Sequence, residues 1–309
     1  MPILLDAAEA RRNLAGLAIR TPLVRLNIDE AEIYLKLENL QPIGSFKLRG
    51  AANAMAKTAP EKLSRGVVTA SAGNMAQGVA YCALRMGIPA TVITPETAPE
   101  TKLRAVERLG GRIIKVPFDQ WWRTFETRMF PGVDATFIHA FDDPNVRAGN
   151  GTIGLELLED LADVDAIVIP WGGGGLACGI AEVVKALKPS VRIWAAEVET
   201  GAPLAASLKA GSPQVVDYRP SFVDGIASKT VFPGMLESAQ RLLEGSIVMK
   251  LDEIAAAMKL VAERNRVIAE GAAACSVAAA LSGRAGGGRI VAIVSGGNID
   301  LKKFAELTM

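Results

Sequence analysis

The chain has 309 residues, half of them hydrophobic and 22% charged, which fits one or two globular domains with a full core. Lys plus Arg number 34 and Asp plus Glu 33, so the net charge is +1 and neither a nucleic-acid-binding stripe nor a charged tail is expected. No apolar stretch reaches the roughly 20 residues of a membrane span, and the opening MPILLDAAEARRN lacks the order of a secretory signal.

Along the chain, short Val- and Ile-rich runs alternate with helical stretches. GVVTA (Gly66–Ala70) is the first predicted strand and Met75–Met86 the helix that follows it. Next come the strand Ala90–Thr94, the helix Pro99–Leu109 ending at Gly110-Gly111, and the strands Arg112–Val116 and Thr136–His139. Further on lie the strand Asp165–Pro170, the helix Gly179–Leu187 and the strand Val191–Glu197. The helices Leu251–Asn265 and Gly271–Leu281 and the strand Arg289–Ser295 complete the series. The runs lack polar alternation, as parallel strands covered on both faces do. The pattern predicts an α/β fold with open, mostly parallel sheets. Residues 52–140 read as a small four-strand domain, inserted into a larger domain made of 1–51 and 141–309.

Cys82, Cys178 and Cys275 are widely spaced and form neither a metal pattern nor a disulfide framework, which suits a reducing, cytoplasmic setting. His139 is the only histidine, so a multi-histidine metal site is excluded and a Ser-His-Asp triad would have to use it. Chemistry then falls to lysine, carboxylates, backbone amides or a cofactor, and no metal is expected.

Four segments are candidates. In GSFKLRG (Gly44–Gly50), Lys47 lies between Phe46 and Leu48. Apolar surroundings favour the neutral amine, which attacks carbonyls; a solvated lysine at a helix start is the plainer alternative. SAGNMAQG (Ser71–Gly78) follows a strand and opens a helix, where free N–H groups attract a carboxylate or phosphate. Ser71 or Asn74 as a simple helix cap is compatible with that role. Gly172, Gly173, Gly174 and Gly175, followed by Leu176, let a backbone approach a ligand closely. They match neither the spaced dinucleotide fingerprint nor a Walker loop, and a flexible turn is the other reading. Finally, Ser295 ends a buried strand before Gly296-Gly297-Asn298, at the strand end where open α/β sheets hold ligands, or merely in a turn.

Taken in this order, the segments resemble the fold-type II pyridoxal-phosphate enzymes, and most closely the serine/threonine dehydratase (threonine ammonia-lyase) group that includes serine racemase. The resemblance runs from Thr21-Pro22-Leu23 to Ser295-Gly296-Gly297-Asn298 and is strongest in LKLENLQPIGSFKLRGA, SAGNMAQGVA, FDDPNVRAGNGTIGLEL and WGGGGLACGI. It implies a tryptophan synthase β-like fold, pyridoxal 5'-phosphate as cofactor and a homodimer. It also implies that Lys47 forms the Schiff base and moves the α-proton. Phe46 would pack against the cofactor ring, Asn74 would bond the ring hydroxyl, and Ser295 the ring nitrogen. Gly172 to Gly175 and Leu176 would hold the phosphate, and Gly225 would lie near the ring. Ser71, Ala72, Gly73, Asn74 and Met75 would form the substrate carboxylate site. Glu270 either faces the cofactor cavity, which places it in the cofactor set, or stabilises the positive end of the next helix.

The implied reaction is β-elimination, converting a 3-hydroxy-amino acid of the L-threonine or L-serine type into a 2-keto acid and ammonia. Alternatives are a racemase of the same fold and a catalytically silent cofactor-binding protein. Ala72 occupies the place of the second acid/base serine of serine racemase, which argues against racemisation. Met75 stands where histidine is usual and is expected to alter the rim of the carboxylate site. Glu197 is present where the racemase-like members bind a divalent cation, but Pro203 stands in place of the partner aspartate. Trp121, Trp122, Arg123 and Arg128 either shape the entrance or serve helix packing, and His139 either lines the substrate or is a hydrogen-bonded junction residue.

Overall fold

The computed structural model describes residues 2–98, 100–226 and 228–309. Among these the chain forms ten strands: β1 (Leu23–Arg25), β2 (Ile33–Leu37), β3 (Val67–Ala70), β4 (Ala90–Pro95), β5 (Arg112–Val116), β6 (Thr136–Phe137), β7 (Ala166–Pro170), β8 (Arg192–Val198), β9 (Gly245–Met249) and β10 (Ile290–Val294). They build a six-stranded sheet, ordered β1-β2-β10-β7-β8-β9, and a four-stranded sheet, ordered β5-β4-β3-β6. All neighbours are parallel except β1 and β2. The expected α/β class with open, mostly parallel sheets is therefore present.

Alternating residues of the central strands serve two cores. Ala166 and Val168 of β7, with Ile290, Ala292 and Val294 of β10, pack toward the helices Leu251–Asn265 and Gly271–Leu281. Ile167 and Ile169, with Val291 and Ile293, pack on the other face with Ile153 and Leu157 of Pro144–Asp160 and Ile180 of Gly175–Leu187. A strand buried on both faces has no polar side, and each such Val or Ile contributes roughly 1.5–3 kcal/mol of burial. The helix Gly271–Leu281 (GAAACSVAAAL) is buried almost throughout, its small side chains letting the sheet come close.

Sequence reading placed the central strands to within a residue or two but passed over β1, β2 and β9. Pro99, the expected start of a helix, lies outside the described residues; the helix is Glu100–Arg108. The helix expected from Gly179 begins at Gly175, and the helix expected from Met75 begins at Asn74. Both early starts put the candidate loops directly on helix N-termini.

Between the sheets runs the helix Lys47–Ala56, packed on Asn74–Met86 and on Pro144–Asp160. A buried charge network anchors it. Arg49 bonds Glu38 (2.8 Å) and Glu156 (2.7 Å), and Lys36 bonds Glu156 (2.6 Å), all four side chains being nearly solvent-free. Two cations and two carboxylates balance, as burial of charge requires.

Candidate active site

The segment carrying the candidate lysine is stitched to the end of β10. Phe46 N–H donates to the Ser295 carbonyl (3.0 Å), Gly297 N–H donates to the Gly44 carbonyl (2.9 Å), and Ser45 faces Gly296 across an isolated bridge. Lys47 thus starts its helix beside Ser295, although 248 positions separate them in the chain. Its Nζ donates to the Ala140 carbonyl (2.8 Å) and lies 5.1 Å from the Phe46 ring centroid. Burial lowers the amine from 10.5 to about 8, with the Glu270 carboxylate opposing the drop. The solvated-lysine alternative is thereby set aside.

The tetraglycine turn follows β7. None of the N–H groups from Gly172 to Leu176 finds a backbone acceptor among the described residues, so five donors at a helix N-terminus are free for an anion such as phosphate. The glycines are sterically required. A Cβ on Gly173 would lie 2.0 Å from Phe141 Cδ1, and one on Gly174, whose φ is +89°, would lie 2.6 Å from the Trp171 ring. Gly225 adjoins this turn, its carbonyl 3.2 Å from where a Gly172 Cβ would stand. Leu176 and Phe46 both belong to the surrounding core, so Leu176 offers its amide rather than its side chain.

After β3, Ser71 to Asn74 form the second helix entry. Ser71 Oγ accepts from Gly73 N–H (3.2 Å), and space is open beside the Gly73 Cα. Met75 is different: its side chain is buried in the core that contains Leu48, Met55, Val79 and Ile138. The expectation that it reshapes the rim is corrected, because only its backbone amide can reach a ligand there.

Asn74 turns from this second site to the first. Its Nδ2 donates to Glu270 Oε1 (2.9 Å) and its Oδ1 accepts from Asn298 Nδ2 (2.8 Å). Glu270 Oε1 lies 2.5 Å from the place of a Gly296 Cβ and 3.9 Å from that of a Gly225 Cβ, beside the end of β10, while the residue itself directly precedes the helix Gly271–Leu281. Burial raises its carboxyl to about 7; nearby Asp224 adds to the rise, while Lys102 opposes it. Lys47, Asn74, Gly225, Glu270, Ser295 and the glycine turn are therefore brought together from distant parts of the chain. Sequence reading missed Ala140, Phe141 and Asn298 as their close neighbours, though Asn298 sat in the SGGN segment already singled out.

Other residues lie apart. His139 Nδ1 accepts from the backbone N–H of Asp142 (2.8 Å) and Phe141 (3.3 Å), and burial, helped by Arg128, pushes the ring down to about 4. It is a neutral junction residue. Trp121 and Trp122 stack on Phe125 (6.0 and 5.7 Å between centroids), which in turn meets His139 and Phe141, while Arg123 is exposed. Arg128 pairs with Asp142. Burial raises the Cys82 and Cys178 thiols to about 12, so they stay protonated. Glu197 accepts from Leu204 and Ala205 N–H (2.8 Å each) at the start of Pro203–Ala210 and from Ser246 Oγ (2.6 Å). Its carboxylate is spent on that helix, and no group of three metal-binding side chains occurs among the described residues.

The chain is similar to several known proteins. The L-threonine ammonia-lyase of Thermotoga maritima is 42% identical over 309 residues, covering 98% of this chain and 77% of that protein. Maize serine racemase superposes with a TM-score of 0.90 at 34% identity, covering 98% of this chain and 95% of that one. Threonine deaminase isoform 2 of Solanum lycopersicum, in its processed form, also gives 0.90 at 34% identity, covering 99% and 92%. Residues 14–296 match the family described as pyridoxal-phosphate dependent enzyme, and to that family the chain belongs.

Proposed function

We propose that the protein is a pyridoxal-phosphate-dependent ammonia-lyase acting on a 3-hydroxy-amino acid of the L-threonine or L-serine type. The observation that carries this reading is a lysine of lowered basicity held between two sets of free backbone amides. One set, Gly172 to Leu176, suits the cofactor phosphate; the other, the N–H groups of Ala72, Asn74 and Met75 at the second helix entry, suits the substrate carboxylate, while Ser71 N–H is bonded to the Ile93 carbonyl and Gly73 N–H to Ser71 Oγ. Support for the substrate class comes from the threonine ammonia-lyase likeness over nearly the whole chain.

When bound, the cofactor supplies an electron sink for the pair left at the substrate Cα. The rest falls to the chain. Lys47 Nζ is the attachment point and the group that takes and returns the Cα proton. A basicity near 8 keeps it able to do both around neutral pH. The Ala140 carbonyl fixes the direction of that nitrogen. Asn74 would offer an N–H to the ring hydroxyl, the neutral Ser295 hydroxyl would serve the ring nitrogen, and Phe46, Gly225 and Glu270 would hold the ring between them. The substrate loses its Cα proton and its β-hydroxyl as water. Hydrolysis of the released enamine yields a 2-keto acid and ammonia. Ala72 has no proton to deliver on the opposite face, which disfavours racemisation.

The proposal extends to organisation. Residues 52–140, which contain β3 to β6, act as a small substrate-clamping domain against a cofactor-binding domain of 1–51 and 141–309. The working unit is a homodimer in the cytoplasm, a setting that three protonated, unpaired cysteines suit. No helix among the described residues is long and apolar enough to cross a membrane.

The test is keto-acid release from cofactor-loaded protein given L-serine, L-threonine, 3-hydroxyaspartate and 3-phenylserine. Lysine-dependent release, lost in Lys47→Ala, is expected. Silence across the panel with an intact visible cofactor band would overturn the lyase reading.

A further inference from the structure

We propose that Asn298 is a positioning residue that fixes which end of the Asn74 amide faces the cofactor's ring hydroxyl. The inference rests on the cofactor reading of Asn74 above, and adds a cause for the orientation of that side chain.

An asparagine amide has an accepting oxygen and a nitrogen with two N–H groups, and its two ends have almost the same shape. Packing alone cannot choose between them, so the choice falls to hydrogen-bond partners. Here the choice can be traced to a group that cannot turn over. The Ile43 carbonyl belongs to the main chain and only accepts. Asn298 Nδ2 donates to it (2.8 Å) and spends its second N–H on Asn74 Oδ1 (2.8 Å). Inverting Asn298 would set its Oδ1 against both oxygens. With its own Oδ1 held by Asn298, Asn74 must turn Nδ2 the other way, where one N–H goes to Glu270 Oε1 (2.9 Å). The second N–H of Nδ2 has no acceptor among the described residues and is left for a ligand.

Glu270 reads the same polarity from the far side. Its Oε1 accepts from Asn74 Nδ2 (2.9 Å), so an inverted Asn74 would push an oxygen against it. Space is tight as well: a Cβ on Gly44, whose φ is +70°, would lie 2.6 Å from Asn298 Oδ1. The relay joins the loop before Lys47, the start of the helix Asn74–Met86 and the end of β10. A phenolic oxygen placed beside Asn74 thus meets a donor that is already aimed, and a donor stabilises its anionic form.

Asn298→Asp and Asn298→Ala separate aiming from filling space. Aspartate has no side-chain N–H, so it draws Asn74 Nδ2 toward itself and presents Asn74 Oδ1 to the ring. Two quantities are read on reconstituted protein: the pyridoxal-phosphate dissociation constant by equilibrium dialysis, and the pH midpoint of the visible cofactor band. For Asn298→Asp we expect about tenfold weaker binding, the loss of one hydrogen bond to a charged group. The band midpoint should rise by about one pH unit, because the anionic ring oxygen loses its donor. Asn298→Ala should move both readings in the same direction by less, and it decides alone where the aspartate variant does not fold. Folded variants whose affinity and midpoint equal those of the wild type overturn the proposal, even if their melting temperature falls. A wild-type protein that develops no visible band with the cofactor overturns the underlying cofactor reading as well.

Discussion

Lys47 illustrates how a functional residue sits in a place that does not suit its charge. It is held at a helix start, against the Phe46 ring and the Ala140 carbonyl, and its amine falls from 10.5 to about 8 because burial outweighs the attraction of Glu270. At about 1.4 kcal/mol per tenfold step, such a drop costs the folded, cofactor-free protein on the order of 3 kcal/mol at pH 7. Both folded and unfolded chains are protonated below pH 8, so the cost is fully present there. Between about 8 and 10.5 only the folded form loses its proton, and the cost fades. Lys47→Met should therefore abolish turnover yet raise the melting temperature of cofactor-free protein at pH 7, with the gain vanishing by about pH 10.5. Melting curves across that range check it; equal gains at every pH would show that packing rather than charge is responsible. Glu270→Gln should act on the same lysine. Without the carboxylate, the ammonium loses its attraction and the amine falls below its wild-type value, which pH-dependent labelling of Lys47 in cofactor-free protein would detect as an earlier midpoint.

The elements differ in how plainly the sequence announces them. β7 (AIVIP) and β10 (IVAIV) are buried along their whole length and read directly as apolar runs. β2 (IYLKL) does not, because Lys36 interrupts the run; its charge is met inside the protein by Glu156. The helix Pro144–Asp160 has Gly149, Gly151 and Gly154, which argue locally against a helix. They are needed where chains touch: a Cβ on Gly149 would lie 2.4 Å from the Arg49 carbonyl. The glycine turn, the lysine segment and the strand-end serine were legible because their residue types carry chemistry in themselves. The Asn74–Glu270 contact was not, since 196 positions separate the partners and only the fold joins them. Gly173 offers a test at this scale. Gly173→Ala places a methyl 2.0 Å from Phe141 Cδ1 and must displace either that ring or the glycine turn. We expect at least about tenfold weaker cofactor binding. Adding Phe141→Ala should restore part of it. If the double variant binds no better than the single, the defect lies in the turn's backbone and not in that contact.

At the scale of the molecule, the loops after β3 and the loops after β7 and β10 belong to different sheets, and the candidate site lies where the two meet. Links between the two include Asn74 to Glu270 and Asn298, the ring contact of Phe125 with Phe232 at 6.2 Å, and the ion pair of Lys102 with Asp224 beside Gly225. The last is partly exposed, with Lys102 at 25% and Asp224 at 54% of full side-chain accessibility, and such a pair adds at most about 1 kcal/mol. That is a small share of folding stability, but if residues 52–140 clamp the substrate as proposed, it is enough to bias the two halves toward closure. Asp224→Asn should leave the melting temperature almost unchanged and raise KM for the amino acid by roughly twofold to fivefold, with a smaller change in kcat. Salt supplies the control. It screens an exposed pair, so KM of the wild type should climb with ionic strength more steeply than that of Asp224→Asn, and Lys102→Ala combined with Asp224→Asn should add nothing to either single change. Parallel salt dependence in wild type and variant would mean that the pair forms without taking part in closure, and would leave the polar clasp around Asn74 as the contact that draws the two sheets together.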